Sequence, residues 1–372
     1  MSRKSLLPIF VLASAFIFTP TSRAQTPWMI GQSAPLSGSN APFGIDIRDG
    51  ALAYFKSVNA KGGVDGRKIE LLSLDDKNDR KLAGANAQKL LQENKVAVSF
   101  GFASATLSLD AIPLAEKAGV LFFAPFSGAN PVRKASPVVF TLRASYPEEL
   151  EKMLAFWTGL GLKQVVVVHY VDEVGKQNLA AVVDYLAKQG KKPKAFSLQR
   201  NASVDSNQIS ELLKLKPDVL INTVLSGPAA EISRQLANRR LTVPMSSLSF
   251  VGAQQYIVAA GEAGAGVSIA QVVPNTTSPS PVVRECAKAL QDSGITMAMN
   301  STHLEACIGA KVLTEAIRRA KKPGNAETLI ASMRNLGTYD AGGFTVSYSA
   351  TNQHGSKFVE LEMVSRDGHL RR

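Results

Sequence analysis

The stretch KSVNAKGGVDGRKIELLSLDDKND, residues 56–79, passes from a helical pattern through glycines into an apolar run and ends on two adjacent carboxylates, Asp75 and Asp76. Upstream, Ile47, Ala51, Phe55 and Val58 form one apolar stripe at helical spacing. Residues 59–63 stop that helix with glycines, which tolerate the left-handed dihedrals of a helix end. Residues 68–74 then read as a strand whose carboxyl end is the aspartate pair. Helix, tight turn and strand in this order make the unit of an open parallel α/β sheet, which gathers ligands at the carboxyl edge of its strands. Asp75-Asp76 has two readings: a pair facing a ligand or metal, or a pair that shapes the next loop, one capping the helix that starts at Asn78-Asp79-Arg80 and the other solvated. The loop role is favoured.

The same alternation fills the rest of the chain. Strands are expected at 28–32, 96–101, 120–124 and 138–142, and the pattern restarts with strands at 164–170, 194–199, 218–224 and 266–273. Helical patterns at 176–189, 206–216 and 228–240 separate the later strands, and further helices fall near 281–292, 301–320 and 326–334. β-like runs close the chain at 342–348 and 357–365. The reading is an α/β fold of two doubly wound, Rossmann-like halves. No low-complexity linker separates them, so the chain must cross between halves in short segments.

Composition narrows the class. Arg3 and Lys4 precede the apolar run Leu6–Phe18, and Ser22-Arg23-Ala24 places small residues at a cleavage site, so residues 1–24 read as a secretory signal. The apolar run has 13 residues, where a membrane-spanning helix needs about 20. The net charge of +12 falls with the signal and is scattered over helical segments, with no basic motif for nucleic acid. Cys286 and Cys307 are too few for a disulfide scaffold but suffice for one bridge in an oxidising compartment. They fall on consecutive predicted helices joined by a turn near 292–296, whose antiparallel packing would bring them together; two buried free thiols are the alternative.

Catalytic signatures are missing: there is no GxSxG, HExxH or GxxxxGK[ST] pattern, and GEAGAG at 261–266 has the wrong spacing and follows no strand. His169, His303, His354 and His369 are isolated, so no metal or other cofactor is implied. Better ligand candidates are GFASATLS (101–108) and APFSGANPVR (124–133), each a strand end running into small polar residues and a helix start. Such junctions offer backbone N–H groups and hydroxyls, here from Ser104, Thr106 and Ser127, to an anion. Phe43 and Phe126 supply aromatic cover.

APLSGSNAPFG (34–44), the 59–79 stretch and EKAGVLFFAPFSGA (116–129), in this order, resemble the type I periplasmic binding proteins of the branched-chain amino-acid transporter class. The similarity continues through VVVVHYVDEVGK (165–176), KPDVLINTV (216–224) and AAGEAGAGV (259–267). The resemblance implies two lobes that close on a ligand, joined by three crossings near 143, 273 and 359. Lobe 1 is then 25–143 with 274–359, and lobe 2 is 144–273 with 360–372. The family's double aspartate is not implied to bind metal.

Residue by residue, the acidic group that holds the ammonium in leucine-binding relatives is replaced by Ser249, with Phe250 beside it. The hydroxyls that grip the carboxylate align with Ala105 and Gly128, although Thr106 and Ser127 stand next to them. Aromatic ligand contacts fall on Phe43, Val174 and Leu225, of which only the first is aromatic. Glu305 or Glu262 would have to reach the cleft to restore an amino-acid site. The function implied is capture of a small polar or carboxylate solute, an amino acid or an amino-acid-like or aromatic acid, by a monomer in the periplasm, for the membrane permease of an ABC importer, without catalysis or nucleic acid. A ligand-sensing domain for a signalling or chemotaxis partner is the alternative.

Overall fold

In the computed structural model, which describes residues 26–200, 202–321 and 324–371, the first part of the chain builds an open parallel sheet. The expected signal, 1–24, lies outside the described residues. In chain order come β1 (Trp28–Ala34), α1 (Ala41–Ala60), β2 (Ile69–Asp75), α2 (Arg80–Gln92), β3 (Val98–Phe100), α3 (Ala105–Ser108), α4 (Ile112–Ala118), β4 (Leu121–Phe123) and β5 (Val139–Phe140). The strands lie in the order β2-β1-β3-β4-β5, all parallel. This is a doubly wound sheet whose strand order reverses between β1 and β3.

The 56–79 stretch closes α1 with Gly62 and Gly63 at φ +95° and +77°, then pairs Ala34 of β1 with Asp75 of β2. Neither aspartate of the pair caps α2; Asp79 does, accepting from Leu82 N. Asp76 is buried rather than solvated, and accepts from Ser33 Oγ and Asn78 N. Burial lifts its pKa to about 6, against those hydrogen bonds. Asp75 takes Leu36 N and Lys77 N. Both carboxylates fix the loops that follow β1 and β2.

A second sheet follows: α5 (Tyr146–Gly159), β6 (Val165–Tyr170), α6 (Glu173–Ala187), β7 (Lys194–Leu198), α7 (Ser206–Lys214), β8 (Val219–Asn222), α8 (Ser226–Asn238), β9 (Met245–Ser247), α9 (Ala253–Ala260) and β10 (Ser268–Gln271). β6 is buried throughout; Val166 and Val168 pack into one helical layer and Val165 and Val167 into the other, as the two-residue period of a strand covered on both faces requires. β9 has no place among the expected strands. Its Met-Ser-Ser carries no β-branched signal, and neighbours hold it in the sheet: Trp157 Nε1 donates to Ser246 Oγ at 2.6 Å and Asn222 Nδ2 to Ser247 Oγ at 2.9 Å.

The chain then returns to the first core as α10 (Pro281–Asp292), α11 (Ser301–Arg319), α12 (Ala326–Arg334) and the hairpin β11 (Gly337–Asp340) and β12 (Thr345–Tyr348). β13 (Glu360–Val364) finally joins the second sheet antiparallel to β10, and β14 (Leu370–Arg371) pairs antiparallel to β13 at its edge. The second sheet reads β14-β13-β10-β9-β8-β6-β7. Phe55, Phe100, Phe122, Phe123, Phe140 and Tyr348 dominate the first core. α1 and α11 meet so closely that a Cβ on Gly50 would lie 2.3 Å from His303 O. α10 and α11 are joined by a Cys286–Cys307 disulfide with Cα atoms 5.9 Å apart.

Three segments pass between the sheets: 141–145, 272–280 and 349–359. The first and third run together, with Thr141 N bonded to Gln353 O, Gly355 N to Thr141 O, and Tyr348 Oη to Thr141 O. These short paired crossings are what a hinge between two lobes requires.

Candidate functional site

The carboxyl edges of the two sheets face each other across a cavity of about 100 Å³. Residues after β1, β3 and β4 line it from the first lobe: Asn40, Phe43, Ser104, Ala105, Thr106 and Phe126. Residues after β6, β7, β8 and β9 line it from the second: Tyr170, Val174, Arg200, Thr223, Leu225 and Phe250. Both walls therefore come from the edges where open α/β sheets bind ligands. The cavity's volume is below the roughly 150 Å³ of an apolar cavity that holds one benzene ring, so only a small solute fits without movement of the walls.

Eight expected residues line the cavity: Phe43, Ser104, Ala105, Thr106, Phe126, Val174, Leu225 and Phe250. Phe43 and Phe126 stand edge to face with centroids 6.1 Å apart. The two expected helix starts are shorter than their sequences imply. α3 spans four residues, capped by Ser104 through Leu107 N, and residues 130–133 form a 3₁₀ turn. Aligned peptide dipoles are therefore few at both places; what remains to a ligand is the hydroxyls and the N–H groups of Ala105 and Thr106, which as first helical residues have no intrahelical acceptor.

Ser127, Gly128 and Ser249 stand behind the lining instead of on it. Ser127 is fully buried and its Oγ accepts from Ala129 N. A Cβ on Gly128 would lie 2.7 Å from Tyr146 Cδ1, because the start of α5 packs there and Tyr146 fills the cavity wall in its place. Ser249 is held from the rear: its N and Oγ donate to Glu149 at 2.7 and 2.9 Å, and its Oγ accepts from Arg143 Nη1 at 3.2 Å. Glu305 does not reach the cavity. It pairs with Arg143, Nε to Oε1 at 2.7 Å, with side chains only 5% and 3% exposed. Phe126 covers that pair, its ring centroid 5.3 Å from the Arg143 guanidinium carbon. Glu262 is exposed and does not line the cavity.

Sequence reading missed Arg200, Tyr170, Tyr146, Thr223 and Gln255 in the lining. Arg200 and Tyr170 sit directly at the ends of β7 and β6, where the carboxyl-edge rule applied to every strand would have found them. Tyr146, Tyr170 and Phe250 supply the aromatic wall that Val174 and Leu225 do not. Burial pushes the Tyr146 phenol up to about 12, so it stays protonated and can donate a hydrogen bond. Gln255 crosses from lobe 2 to donate to buried Asp46 Oδ2 at 2.9 Å, where Asn300 Nδ2 also donates. Asp46 lies beside His303, Oδ1 to Nε2 3.3 Å, and is thus engaged away from the cavity.

Glu149 gives this region a pH response. Burial raises its pKa to about 7 from 4.5, against the pull of Arg143 and the Ser249 bonds. The folded protein holds that proton more tightly than the unfolded chain does. Its contribution to stability is therefore complete below about pH 4.5 and is lost as pH rises toward 7. Glu149→Gln should flatten the fall in unfolding free energy over this window, by at most about 1.4 kcal/mol per pH unit. Urea unfolding at several pH values checks this; equal slopes for both proteins would contradict it.

Comparison with known proteins agrees with this geometry. A family model described as periplasmic binding protein matches residues 27–367. A possible leucine/isoleucine/valine-binding protein from Rhodopirellula baltica SH 1 superposes with a TM-score of 0.89 at 25% identity, covering 94% of this chain and 97% of that one. A substrate-binding periplasmic protein from Ralstonia solanacearum gives 0.85 at 28% identity, covering 92% and 99%. Leu/Ile/Val-binding protein homolog 1 of Brucella abortus (strain 2308) is 25% identical over 78% of each chain.

Proposed function

Because the chain belongs to the periplasmic binding protein family, we propose that it captures a small carboxylate lacking a free α-ammonium between its lobes and delivers it to the membrane permease of an ABC importer. The family makes it a solute-binding protein and not an enzyme. No helix among the described residues is long and apolar enough to cross a membrane; export by a cleaved signal at 1–24 belongs to the proposal.

One observation carries the ligand class: among the described residues the cavity lining has a single charged side chain, Arg200, and no Asp or Glu. An ammonium taken from water into a closed cleft needs an acidic partner to offset its lost hydration, and a carboxylate needs a cation or several donors. Only the second need is met, by Arg200, Ser104, Thr106 and the N–H groups of Ala105 and Thr106. The acidic residues near the cleft, Asp46, Glu149, Glu305 and Asp172, are committed to Gln255, Ser249, Arg143 and Arg200 respectively. The bodies that close are taken as 25–143 with 274–359 and 144–273 with 360–372, acting as a monomer.

Calorimetric titration with leucine, 4-methylpentanoate and benzoate tests this. The acids should bind and leucine should not; leucine affinity of micromolar or better, below about −8 kcal/mol, would overturn the ligand class. X-ray scattering of the same saturated samples should show compaction, and an unchanged radius of gyration would remove the hinge from the proposal.

A further inference from the structure

We propose that Arg200 is the second lobe's anchor for the ligand carboxylate and so the residue that makes closure depend on an anion; this rests on reading the cavity as a carboxylate site. Arg200 follows β7 and is the one cation in the lining among the described residues. Its guanidinium is already aimed: its carbon lies 4.2 Å from the centroid of the Tyr170 ring, and Nε and Nη2 sit 2.8 and 2.6 Å from Asp172 Oδ2. Tyr170 is fixed in turn, its phenol oxygen accepting from Leu225 N. Among the described residues no protein acceptor meets Nη1.

Asp172 does not cancel this charge for the cleft. Its other oxygen, Oδ1, caps α6 by accepting from Gly175 N at 2.9 Å. The carboxylate thus sits against the positive end of a 15-residue helix, which opposes much of its charge. The pair is an arginine oriented by its neighbours, with donors left over. On the other wall, Ser104, Thr106 and their adjoining N–H groups offer hydrogen bonds but no cation. A carboxylate held between the walls finds its countercharge only in lobe 2. An anion therefore ties the lobes together more strongly than a neutral isostere, which loses the charge-assisted bond.

The experiment compares wild type, Arg200→Gln and Arg200→Lys against 4-methylpentanoate, benzoate and the neutral 4-methylpentanamide, with melting curves showing that each variant is folded. Wild type should prefer each acid to the amide. Arg200→Gln should weaken acid binding on the order of 100-fold, while amide affinity moves by a few-fold at most. Arg200→Lys should recover part of the loss, since it restores charge without the fork. Acid affinity unchanged in Arg200→Gln overturns the anchor while leaving the carboxylate reading intact. Leucine binding by wild type with none by any acid, or no binding of any acid, overturns that reading and the anchor with it.

Discussion

Truncating Glu305 to alanine should lower the unfolding free energy by about 3–5 kcal/mol, because it leaves a buried guanidinium without its partner. Arg143 and Glu305 are 3% and 5% exposed and share a two-bonded contact. Their attraction is opposed by the hydration both lost, so the pair itself is worth little compared with two apolar side chains. The large cost arises only when one member is removed. Adding Arg143→Met to Glu305→Ala removes the orphaned charge and should recover part of the loss, and the double-mutant cycle of wild type, Glu305→Ala, Arg143→Met and the pair separates pair coupling from burial. Arg143 lies in the first crossing, Glu305 on α11, and Arg143 Nη1 reaches Ser249 of the second lobe. Urea unfolding of the four proteins decides the matter. A loss below about 1 kcal/mol in Glu305→Ala would mean that water reaches Arg143.

Reducing the Cys286–Cys307 bond should cost roughly 3 kcal/mol on the chain-entropy account of a loop of this length. The sequence separation is 21 and both cysteines are fully buried. The bond fixes α10 to α11 two residues beyond Glu305, so the same stretch of α11 is anchored covalently on one side and by the ion pair on another. Cys286→Ala/Cys307→Ala should show the same loss without reductant, as a lower urea midpoint. Thiol labelling of the denatured, unreduced wild type should find no reactive group. Two reactive thiols, or coincident unfolding curves with and without reductant, would contradict the bond's role.

The alternation of strand and helix is legible in local pattern alone. The stripe Ile47, Ala51, Phe55, Val58, the glycines after it and the valine run of β6 are local signals, because helical and strand periods are properties of neighbouring residues. They suffice for two doubly wound halves, and the carboxyl-edge rule applied to them singles out Phe43, Ser104, Thr106 and Phe126, which line the cavity. Which side chains face the cavity depends on the assembled fold. β9 exists because β8, β10 and Trp157 enclose its serines, a cause no window of Met-Ser-Ser contains. Asp76 is buried because Ser33, on the neighbouring strand, meets it. Ser249, Ser127 and Gly128 carry suitable chemistry at suitable places in the chain, yet Arg143, Glu149 and Tyr146 claim their space and hydrogen bonds from behind. Arg200 looks like one of many scattered basic residues until Tyr170 and Asp172, about 30 positions earlier, hold it in the cavity wall. A side chain's direction is set by partners far away in sequence, and those partners are chosen only when both sheets are assembled.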